Sequence, residues 1–405
     1  MAAILWASAD PVAEGNPGVT DRIEGVRYLL RQGHDVHLVC GARPGHRPVS
    51  GIPSTFLPTR YVPFAGWAWL WPRLLGELRS RGAGADVIVT DFALLPPILW
   101  WRNRRRRAGR EAPAIVLDLR TPPVEAGGVR TWVQRRRFAA TLRLFARRAE
   151  AVTVITEGFR DEVARLARLD ARTIPVWGSG CSWCDRPAQP GPPAPRRREV
   201  EDRFVVIYHG SISRGRGLIE AVEALPILAA EAPDLTLALL GTGAALGELR
   251  RLAARLGVED RVAFLDPVPH DRVREVLEGA DIGLVPLPRR WEWELSSPLK
   301  LVEYLCAGLP VALTDIAAHR IVPPDAPFAF WAPSADPEAL ASAMLSAYRR
   351  RTELPELGRQ AALWARPRLG WAPQLAVLDR TIRSAVEGTG PAPGSGAVEA
   401  AGVAR

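Results

Sequence analysis

Short apolar runs alternate with amphipathic stretches along most of this chain. In the first half, strands are predicted at Ala3–Ala7, Val36–Val39, Asp86–Thr90, Ala114–Leu117 and Ala151–Ile155. Between them, apolar residues recur at helical spacing in Thr20–Gln32, Gln134–Glu150 and Gly158–Leu166. Strands that alternate with helices in this way predict a parallel, doubly wound α/β sheet.

The same rhythm restarts in the second half, after a stretch rich in Pro and Arg. Its predicted strands are Phe204–Tyr208, Leu235–Leu240, Arg261–Phe264, Ile282–Pro286, Val311–Leu313 and Phe328–Trp331, and its helices Gly217–Ala230, Leu246–Leu256, Asp271–Gly279 and Pro298–Ala307. We predict an N-terminal domain at 1–185, a linker at 186–201, a C-terminal domain at 202–385 and a disordered, Gly- and Ala-rich tail at 386–405. The last helix before the tail is expected to pack back on the N-terminal domain.

The composition of the chain limits the classes of ligand and partner that we expect. The 405 residues carry a net charge of +9, which favours an anionic partner such as a phosphorylated ligand or a membrane surface. Nucleic acid is not expected, because no recognisable binding motif for it is present. Lys300 is the only lysine among 53 basic residues. This lysine is either required for its chemistry, since its ammonium is a compact point charge that the wide arginine fork does not replace, or it has been retained by chance.

The segment Ser296–Val311 holds the most informative pattern. Ser297 is predicted to cap a helix that begins at Pro298, and such a helix start binds phosphate through its free N–H groups. Lys300 lies in the first turn, and Glu303 follows about one turn later, where its carboxylate can hold two ribose hydroxyls. Taken alone, the pattern also fits a capped amphipathic helix with one surface ion pair.

This segment resembles the donor-site signature of retaining GT-B glycosyltransferases of the family 4 type, also called glycosyl transferases group 1. Their Ser-Pro-x-Lys-x-x-Glu pattern reads here Ser297-Pro298-Leu299-Lys300-Leu301-Val302-Glu303. The resemblance implies an α/β fold of two Rossmann-like domains that face each other across a cleft, with Lys300 on a donor phosphate and Glu303 on the ribose. The family often has another glutamate eight positions earlier, where this chain has Leu295; Glu292 and Glu294 are near but out of register.

Glycine-rich turns complete the donor site that the resemblance implies. The turn in Tyr208–Gly217 contains four candidate donor residues, Gly210, Ser211, Arg214 and Arg216. Glycine lets a backbone approach a diphosphate and arginine balances its charge. Ser211 stands where relatives carry an arginine, so Arg214 is the alternative phosphate contact. Gly241 follows the next strand, and Leu265 lies in a stretch that resembles the base-reading loop.

In the N-terminal half, the candidate residues follow strands, because ligands of open α/β sheets bind beyond the carboxyl ends of the strands. Asp118 and Arg120 follow one strand, and Asp91 follows the preceding one. Asp118 is predicted to bond an acceptor or donor hydroxyl, with Asp91 as its rival. Gly15 and Gly18 belong to a glycine loop that either faces the ligand or is a simple turn.

No Asp-x-Asp motif is present to hold a metal that bridges a diphosphate. The charge of the departing nucleotide is expected to be stabilised by Lys300, Arg216 and helix N-termini, with Asp118 as the third catalytic residue. The sequence therefore predicts metal-independent transfer, without a cofactor besides the nucleoside diphosphate sugar. Cys181 and Cys184 form a lone CxxC, which we interpret as two ordinary thiols rather than a zinc or redox pair.

Aromatic and basic residues cluster at Tyr61–Leu75, Trp100–Arg107 and Arg135–Arg137. Exposed tryptophan beside arginine suits a membrane interface, and the same residues also fit an aromatic core with a solvated basic face. No secretory signal and no apolar run of about 20 residues is visible. We therefore expect a cytoplasmic protein that can dock on the inner face of the plasma membrane.

The function predicted from these features is transfer of a hexose to a glycan, lipid-linked or small-molecule hydroxyl, with the anomeric configuration retained. One alternative is a sugar-nucleotide epimerase of the same fold, which needs grouped histidines and carboxylates. His209, His270 and His319 are not expected to form such a group. The other alternative is a non-catalytic sugar-nucleotide binder, which the missing first glutamate favours.

Overall fold

The computed structural model describes residues 1–12, 19–42, 48–58, 70–123, 128–184 and 202–389. The chain divides into two compact units, one formed by Met1–Gly178 with the chain from Ala372 onward, the other by Ser179–Trp371. The linker predicted at 186–201 lies outside the described residues, as does the predicted tail beyond Thr389; Val386 and Glu387 still belong to a helix.

The first unit contains one six-stranded parallel sheet. Its strands are β1 (Ala3–Pro11), β2 (Asp35–Ala42), β3 (Ser54–Pro58), β4 (Val87–Thr90), β5 (Ala114–Leu119) and β6 (Ala151–Val154). Its helices are α1 (Thr20–Arg31), α2 (Trp71–Ser80), α3 (Leu95–Arg107), α4 (Gly128–Phe145) and α5 (Glu157–Ala167), together with α14 (Trp371–Glu387) at the end of the chain. The strand order is β3-β2-β1-β4-β5-β6. Strand β3 and helices α2 and α3 are not among the elements predicted from the sequence.

The last helix is fastened to the start of the first unit. His34 Nε2 lies 2.8 Å from the Asp379 carboxylate, and His34 Nδ1 accepts from the backbone N–H of Ala2 at 3.2 Å. Gly25 leaves room for the Trp6 ring, which lies against α1, and Leu375 approaches the same glycine. The described part of α14 therefore belongs to the core of the N-terminal unit.

The second unit repeats the architecture. Its strands are β7 (Phe204–His209), β8 (Leu235–Leu240), β9 (Val262–Leu265), β10 (Ile282–Val285), β11 (Val311–Thr314) and β12 (Ala329–Ala332). Its helices are α6 (Leu218–Glu223), α7 (Leu225–Leu228), α8 (Leu246–Leu256), α9 (His270–Leu277), α10 (Trp291–Glu294), α11 (Leu299–Ala307), α12 (Pro337–Arg349) and α13 (Leu354–Leu369). The strand order is β12-β11-β10-β7-β8-β9, which is the order of the first sheet when it is read from the opposite edge. The predicted doubly wound α/β class is therefore confirmed.

Helix α11 is fixed on the sheet where the strand order reverses, between β7 and β10. The buried Tyr304 hydroxyl donates to the Ile207 carbonyl and accepts from the His209 N–H, both at 3.1 Å. The Tyr304 ring lies against Gly283 of β10, where a Cβ atom would collide with it. Ligands of open α/β sheets bind at this reversal point, beyond the carboxyl ends of the strands.

Candidate functional site

The start of α11 differs by one residue from the prediction. The helix begins at Leu299, and Pro298 is the N-cap residue with an extended backbone (φ −75°, ψ 96°). No side chain caps the first turn, so the predicted capping role of Ser297 is wrong. The first N–H groups of a helix have no partner within it, and they remain donors that can point toward an anion.

Lys300 lies in this first turn, beside the end of β7. Its Nζ lies 4.9 Å from the centre of the Tyr208 ring. A Cβ atom on Gly210 would come within 4.0 Å of Lys300 Cε, so the lysine stem passes close to the turn that follows β7. The ammonium group of the chain's single lysine and the Gly-rich turn, which lie about 90 residues apart in the sequence, therefore meet at one edge of the sheet.

Glu303 is a buried carboxylate with both oxygens hydrogen-bonded. It is 3% exposed, and its Oε2 and Oε1 atoms accept from His209 Nε2 and His270 Nε2, each at 2.7 Å. Burial alone would raise the pKa of Glu303, but the two imidazole hydrogen bonds outweigh it and hold the pKa at about 2. The carboxylate therefore stays ionised at neutral pH.

The expectation that the histidines form no group is wrong for two of them. His209 ends β7 and His270 begins α9, and both reach Glu303. The hydrogen bond to Glu303 raises the pKa of His270. His319 takes no part in that group; its Nδ1 lies 2.7 Å from the Thr314 carbonyl oxygen, and burial lowers its pKa to about 4.

Two glycines of these turns lie in direct contact with the backbone of a neighbouring segment. Gly241 (φ +144°) follows β8, and its Cβ position is occupied by the Gly210 carbonyl oxygen. Gly217 (φ +76°) is the N-cap residue of α6, and its Cβ position is occupied by the Pro286 carbonyl oxygen. Both positions require glycine, because φ is positive at each and a backbone carbonyl oxygen leaves no room for a Cβ atom.

The two arginines predicted at the donor phosphates lie in different surroundings. Arg216 donates from Nε to Ser213 Oγ at 2.8 Å, and its guanidinium lies 4.8 Å from the Trp293 ring centre. Trp293 Nε1 in turn donates to the Gly215 carbonyl at 2.9 Å, which holds α10 against the glycine turn. Arg214 is exposed and pairs with Glu248 at 2.7 Å.

The remaining predicted donor residues lie around the same strand ends. Ser211 is exposed, and its carbonyl accepts from the Tyr208 hydroxyl at 2.9 Å, whereas Leu265 is a buried residue at the end of β9. Leu295, in the place of the family's first glutamate, is buried directly after α10. Glu292 is buried and pairs with Arg290, and Glu294 accepts from the Ala317 N–H.

The candidate residues of the first unit form an internal network. Asp118 is 3% exposed, and its Oδ1 accepts from Thr153 Oγ1 at 2.7 Å and from Trp177 Nε1 at 3.0 Å. Burial raises the pKa of Asp118. Arg120 is also buried, donates to Asp21 at 2.6 Å and to the Trp177 carbonyl at 2.7 Å, and stacks on the Trp177 ring.

Asp91 is likewise surrounded by backbone donors. Its carboxylate accepts from the N–H groups of Ala9, Ala93 and Leu94 at 2.7–3.2 Å. Burial and the nearby Asp10 raise its pKa to about 6. Gly15 and Gly18, the other predicted acceptor residues, lie outside the described residues.

The interpretation of the CxxC as two ordinary thiols is wrong for one of them. Cys184 is disulfide-bonded to Cys306 of α11, with a Cα–Cα distance of 5.0 Å. Cys181 is a free, buried thiol whose pKa burial raises to about 12. The bridge could not be predicted from local spacing, because its two cysteines are 122 residues apart.

Part of the aromatic and basic surface is described by the structure. Trp100 of α3 and Trp132 of α4 are 49% and 56% exposed, and Arg104 and Arg136 lie over their rings at 5.1 and 4.5 Å. Residues 61–69 of the predicted cluster lie outside the described residues. In the described ranges, no helix has both the length and the hydropathy to span a membrane, and no three His, Cys, Asp or Glu residues form a potential metal cluster.

Known proteins resemble the chain over both units. The Glycosyltransferase Family 4 model matches residues 24–182, and the Glycosyl transferases group 1 model matches residues 203–350. The alpha-D-kanosaminyltransferase of Streptomyces kanamyceticus is 27% identical over 55% of this chain and 56% of that protein. The 2-deoxystreptamine glucosyltransferase of the same organism is 28% identical over 60% of this chain and 56% of that protein. The chain thus spans a little over half the length of these curated relatives.

A solved structure supports the same assignment at the level of fold. Anabaena HepE in complex with UDP and glucose superimposes with a TM-score of 0.71 at 16% identity, over 95% of this chain and 100% of that one. The two matched family regions, the paired Rossmann-like units and this likeness agree. The chain belongs to the group 1, family 4 glycosyltransferases and has their GT-B fold.

Proposed function

We propose that this protein transfers a hexose from a nucleoside diphosphate sugar to an acceptor hydroxyl, with retention of configuration. The observation that carries the proposal is the meeting of Lys300, Glu303 and the turn at Gly210 at the reversal point of the second sheet. A cation and exposed backbone donors suit a diphosphate, and an ionised carboxylate suits the hydroxyls of a ribose. The UDP bound in HepE supports the same class of donor, and the name of the kanosaminyltransferase supports transfer of a sugar.

In this proposal each group has one task. The Lys300 ammonium and the first N–H groups of α11 stabilise the negative charge that grows on the diphosphate as the glycosidic bond breaks. Glu303 accepts hydrogen bonds from the two ribose hydroxyls. Arg216, held over Trp293, balances the second phosphate. Because these groups supply the positive charge, we propose that the transfer needs no metal ion and no cofactor.

The test of this proposal is the Lys300→Ala variant, assayed by release of nucleoside diphosphate from UDP-, GDP- and ADP-hexoses with a panel of acceptor alcohols. Removing a preorganised cation costs about 100- to 1,000-fold in turnover. Exposed Arg272 on α9 offers a matched control, and Arg272→Ala should leave turnover unchanged. Near-normal turnover of Lys300→Ala would reject the site.

We propose that the first unit binds the acceptor; Asp118, Asp91 and Arg120 are the residues that the sequence predicts for this role. We propose that the acceptor is a lipid-linked or cell-envelope glycan and that the enzyme docks on anionic lipid through α3 and α4. Exposed Trp100 and Trp132, each beside an arginine, support this proposal because indole rings prefer the interface and arginine attracts anionic headgroups. Co-sedimentation with phosphatidylglycerol vesicles, but not phosphatidylcholine vesicles, is expected for the wild type and lost in Trp100→Ala/Trp132→Ala.

A second candidate is epimerisation of a sugar nucleotide, which the pairing of His209 and His270 on Glu303 favours. An epimerase needs positioned acid and base groups at the hexose. The two activities separate in an incubation of the nucleotide sugar without any acceptor alcohol. An epimerase then forms the epimeric sugar, whereas a transferase needs the acceptor for rapid turnover.

A further inference from the structure

The two histidines that bond Glu303 are held in different ways. His209 is buried at the end of β7, and its ring lies 5.0 Å from the Tyr304 ring, edge to face. Its Nδ1 atom is buried and has no hydrogen-bond partner in the described part of the chain, which favours the tautomer that carries the proton on Nε2. The sheet and the core therefore hold His209 as a donor to Glu303.

His270 lacks that support, because it is the first residue of α9 and its side chain is 48% exposed. Its imidazole is instead covered by the indole of Trp183, with ring centres 5.7 Å apart and planes inclined by 23°. Trp183 is itself 7% exposed. An aromatic stack of this kind limits the rotation of the half-exposed imidazole.

The turn that carries Trp183 is fastened at both ends. The Cys181 N–H donates to the Leu369 carbonyl at 2.8 Å, and the Cys184 N–H donates to the Cys181 carbonyl at 3.2 Å. Cys184 is disulfide-bonded to Cys306, three residues after Glu303 on α11. Contacts therefore run in a closed ring from Glu303 through His270, Trp183 and the disulfide back to the helix of Glu303.

We propose that His270, held by Trp183 and the Cys184–Cys306 bridge, is a positioning residue that presents the Glu303 carboxylate to the ribose hydroxyls of the donor. This inference rests on the proposed function, in which Glu303 binds the ribose. A carboxylate oxygen accepts about two hydrogen bonds, so one imidazole on each oxygen leaves acceptor capacity on both for the vicinal diol. Without the donor at His270, the carboxylate can turn about its terminal torsion, which is broad.

The experiment compares binding of a nucleoside diphosphate with binding of its 2′,3′-dideoxy analogue, measured by calorimetry. UDP, GDP and ADP are tried with the wild type, and the tightest is paired with its dideoxy form. His270→Leu should weaken binding of the ribose form about tenfold, which corresponds to one hydrogen bond to a charged group. Binding of the dideoxy form, which never contacts Glu303, should stay unchanged.

Conservative and matched variants complete the test. His270→Gln keeps an N–H donor and should restore ribose-form binding to within about threefold of the wild type. Trp183→Leu and Cys184→Ser should lower ribose-form affinity less than His270→Leu, because they loosen the imidazole without removing it. Arg272→Leu, on the same helix and 63% exposed, should bind both nucleotides like the wild type.

Three results would each overturn one of two statements. If His270→Leu weakens both nucleotides equally, or if His270→Gln restores nothing, His270 is not a positioning residue. If the wild type itself binds the ribose and dideoxy forms equally, the ribose role of Glu303 in the proposed function fails instead. Thermal unfolding of each variant without ligand is measured first, so that loss of the fold is recognised separately.

Discussion

The two units share one strand order and each buries a carboxylate near the strand ends, yet the two carboxylates differ. Asp118 in the first unit and Glu303 in the second are both 3% exposed. Burial raises the pKa of Asp118 although Thr153 and Trp177 donate to it, whereas two imidazoles bring the pKa of Glu303 down to about 2. Equal burial therefore does not fix the direction of the pKa shift; the hydrogen-bond donors around each carboxylate do.

The largest effect is expected from breaking the network of the first unit. Arg120→Leu removes the buried partner of Asp21 and of the Trp177 carbonyl, which should cost about 3–5 kcal/mol of unfolding free energy. Arg216→Leu in the second unit, where the guanidinium is partly exposed, should change stability far less. Guanidinium-induced unfolding of both variants checks this contrast, and equal losses would contradict it.

On acidification, we expect a buried group of the second unit to lower the stability and a buried group of the first unit to raise it. Burial lowers the pKa of His319 from 6.5 to about 4, so its contribution to stability is complete above pH 6.5 and is lost as the pH falls toward 4. The full loss is on the order of 3 kcal/mol. The raised pKa of Asp91, about 6 against 3.8, has the opposite effect, because stability is gained as the pH falls from 6 to 4.

Unfolding midpoints at pH 7 and pH 5 measure both contributions. His319→Gln should flatten the loss of stability on acidification, and Asp91→Asn should steepen it. Glu303 does not contribute in this range, because its lowered pKa affects stability only as the pH falls below about 4.5. An unchanged pH slope in His319→Gln would show that the buried imidazole is not the titrating group.

The two carboxylates can also be compared directly in turnover. In the proposed function, Glu303→Gln removes the charge that receives two ribose hydrogen bonds, and it should lower kcat/KM for the nucleotide sugar by about 100-fold, which corresponds to roughly 2.7 kcal/mol. Asp118→Asn keeps an oxygen for Thr153 and Trp177, and we expect turnover within about tenfold of the wild type. A loss in Asp118→Asn as large as in Glu303→Gln would instead support the catalytic role that the sequence predicts for Asp118.

The smallest effect concerns two helix starts. Thr156 caps α5 by accepting from the Phe159 N–H at 3.2 Å, and Thr156→Ala should cost about 1 kcal/mol of unfolding free energy. Ser297 precedes α11, whose first turn has no side-chain cap, so Ser297→Ala should cost at most a few tenths of that. Chemical denaturation decides, and an equal cost at both positions would mean that α11 is capped in solution.

Much of the fold was predictable because strands that are buried on both faces are continuous apolar runs, whereas helices that are buried on one face repeat apolar residues at helical spacing. Leu235–Leu240 and Leu246–Leu256 have the predicted bounds. Strand β3 was missed because Ser54–Pro58 has no such run, and α3 because its arginine-rich second half hides its period. The capping prediction at Ser297 failed by one residue, because Pro298 keeps an extended backbone.

Only those residues of the candidate site that lie close together in the sequence could be predicted from their spacing. Lys300 and Glu303 are three residues apart on one helix, so they could be recognised as one pattern in the sequence. His209 and His270 reach Glu303 across 94 and 33 residues, and Cys184 reaches Cys306 across 122. Such partners meet through sheet order and helix packing, and single-sequence periodicity carries no information about them.

The glycines at 217 and 241 have a consequence for any survey of mutational tolerance in this protein. Each faces a backbone carbonyl oxygen, so no rotamer change in a neighbouring side chain can make room for a methyl group. Both positions will therefore score as intolerant as Lys300 in a screen by activity alone. Counting the folded protein recovered from each variant distinguishes the two causes, since we expect the glycine variants to lose abundance and Lys300→Ala, by the proposed function, to lose only turnover.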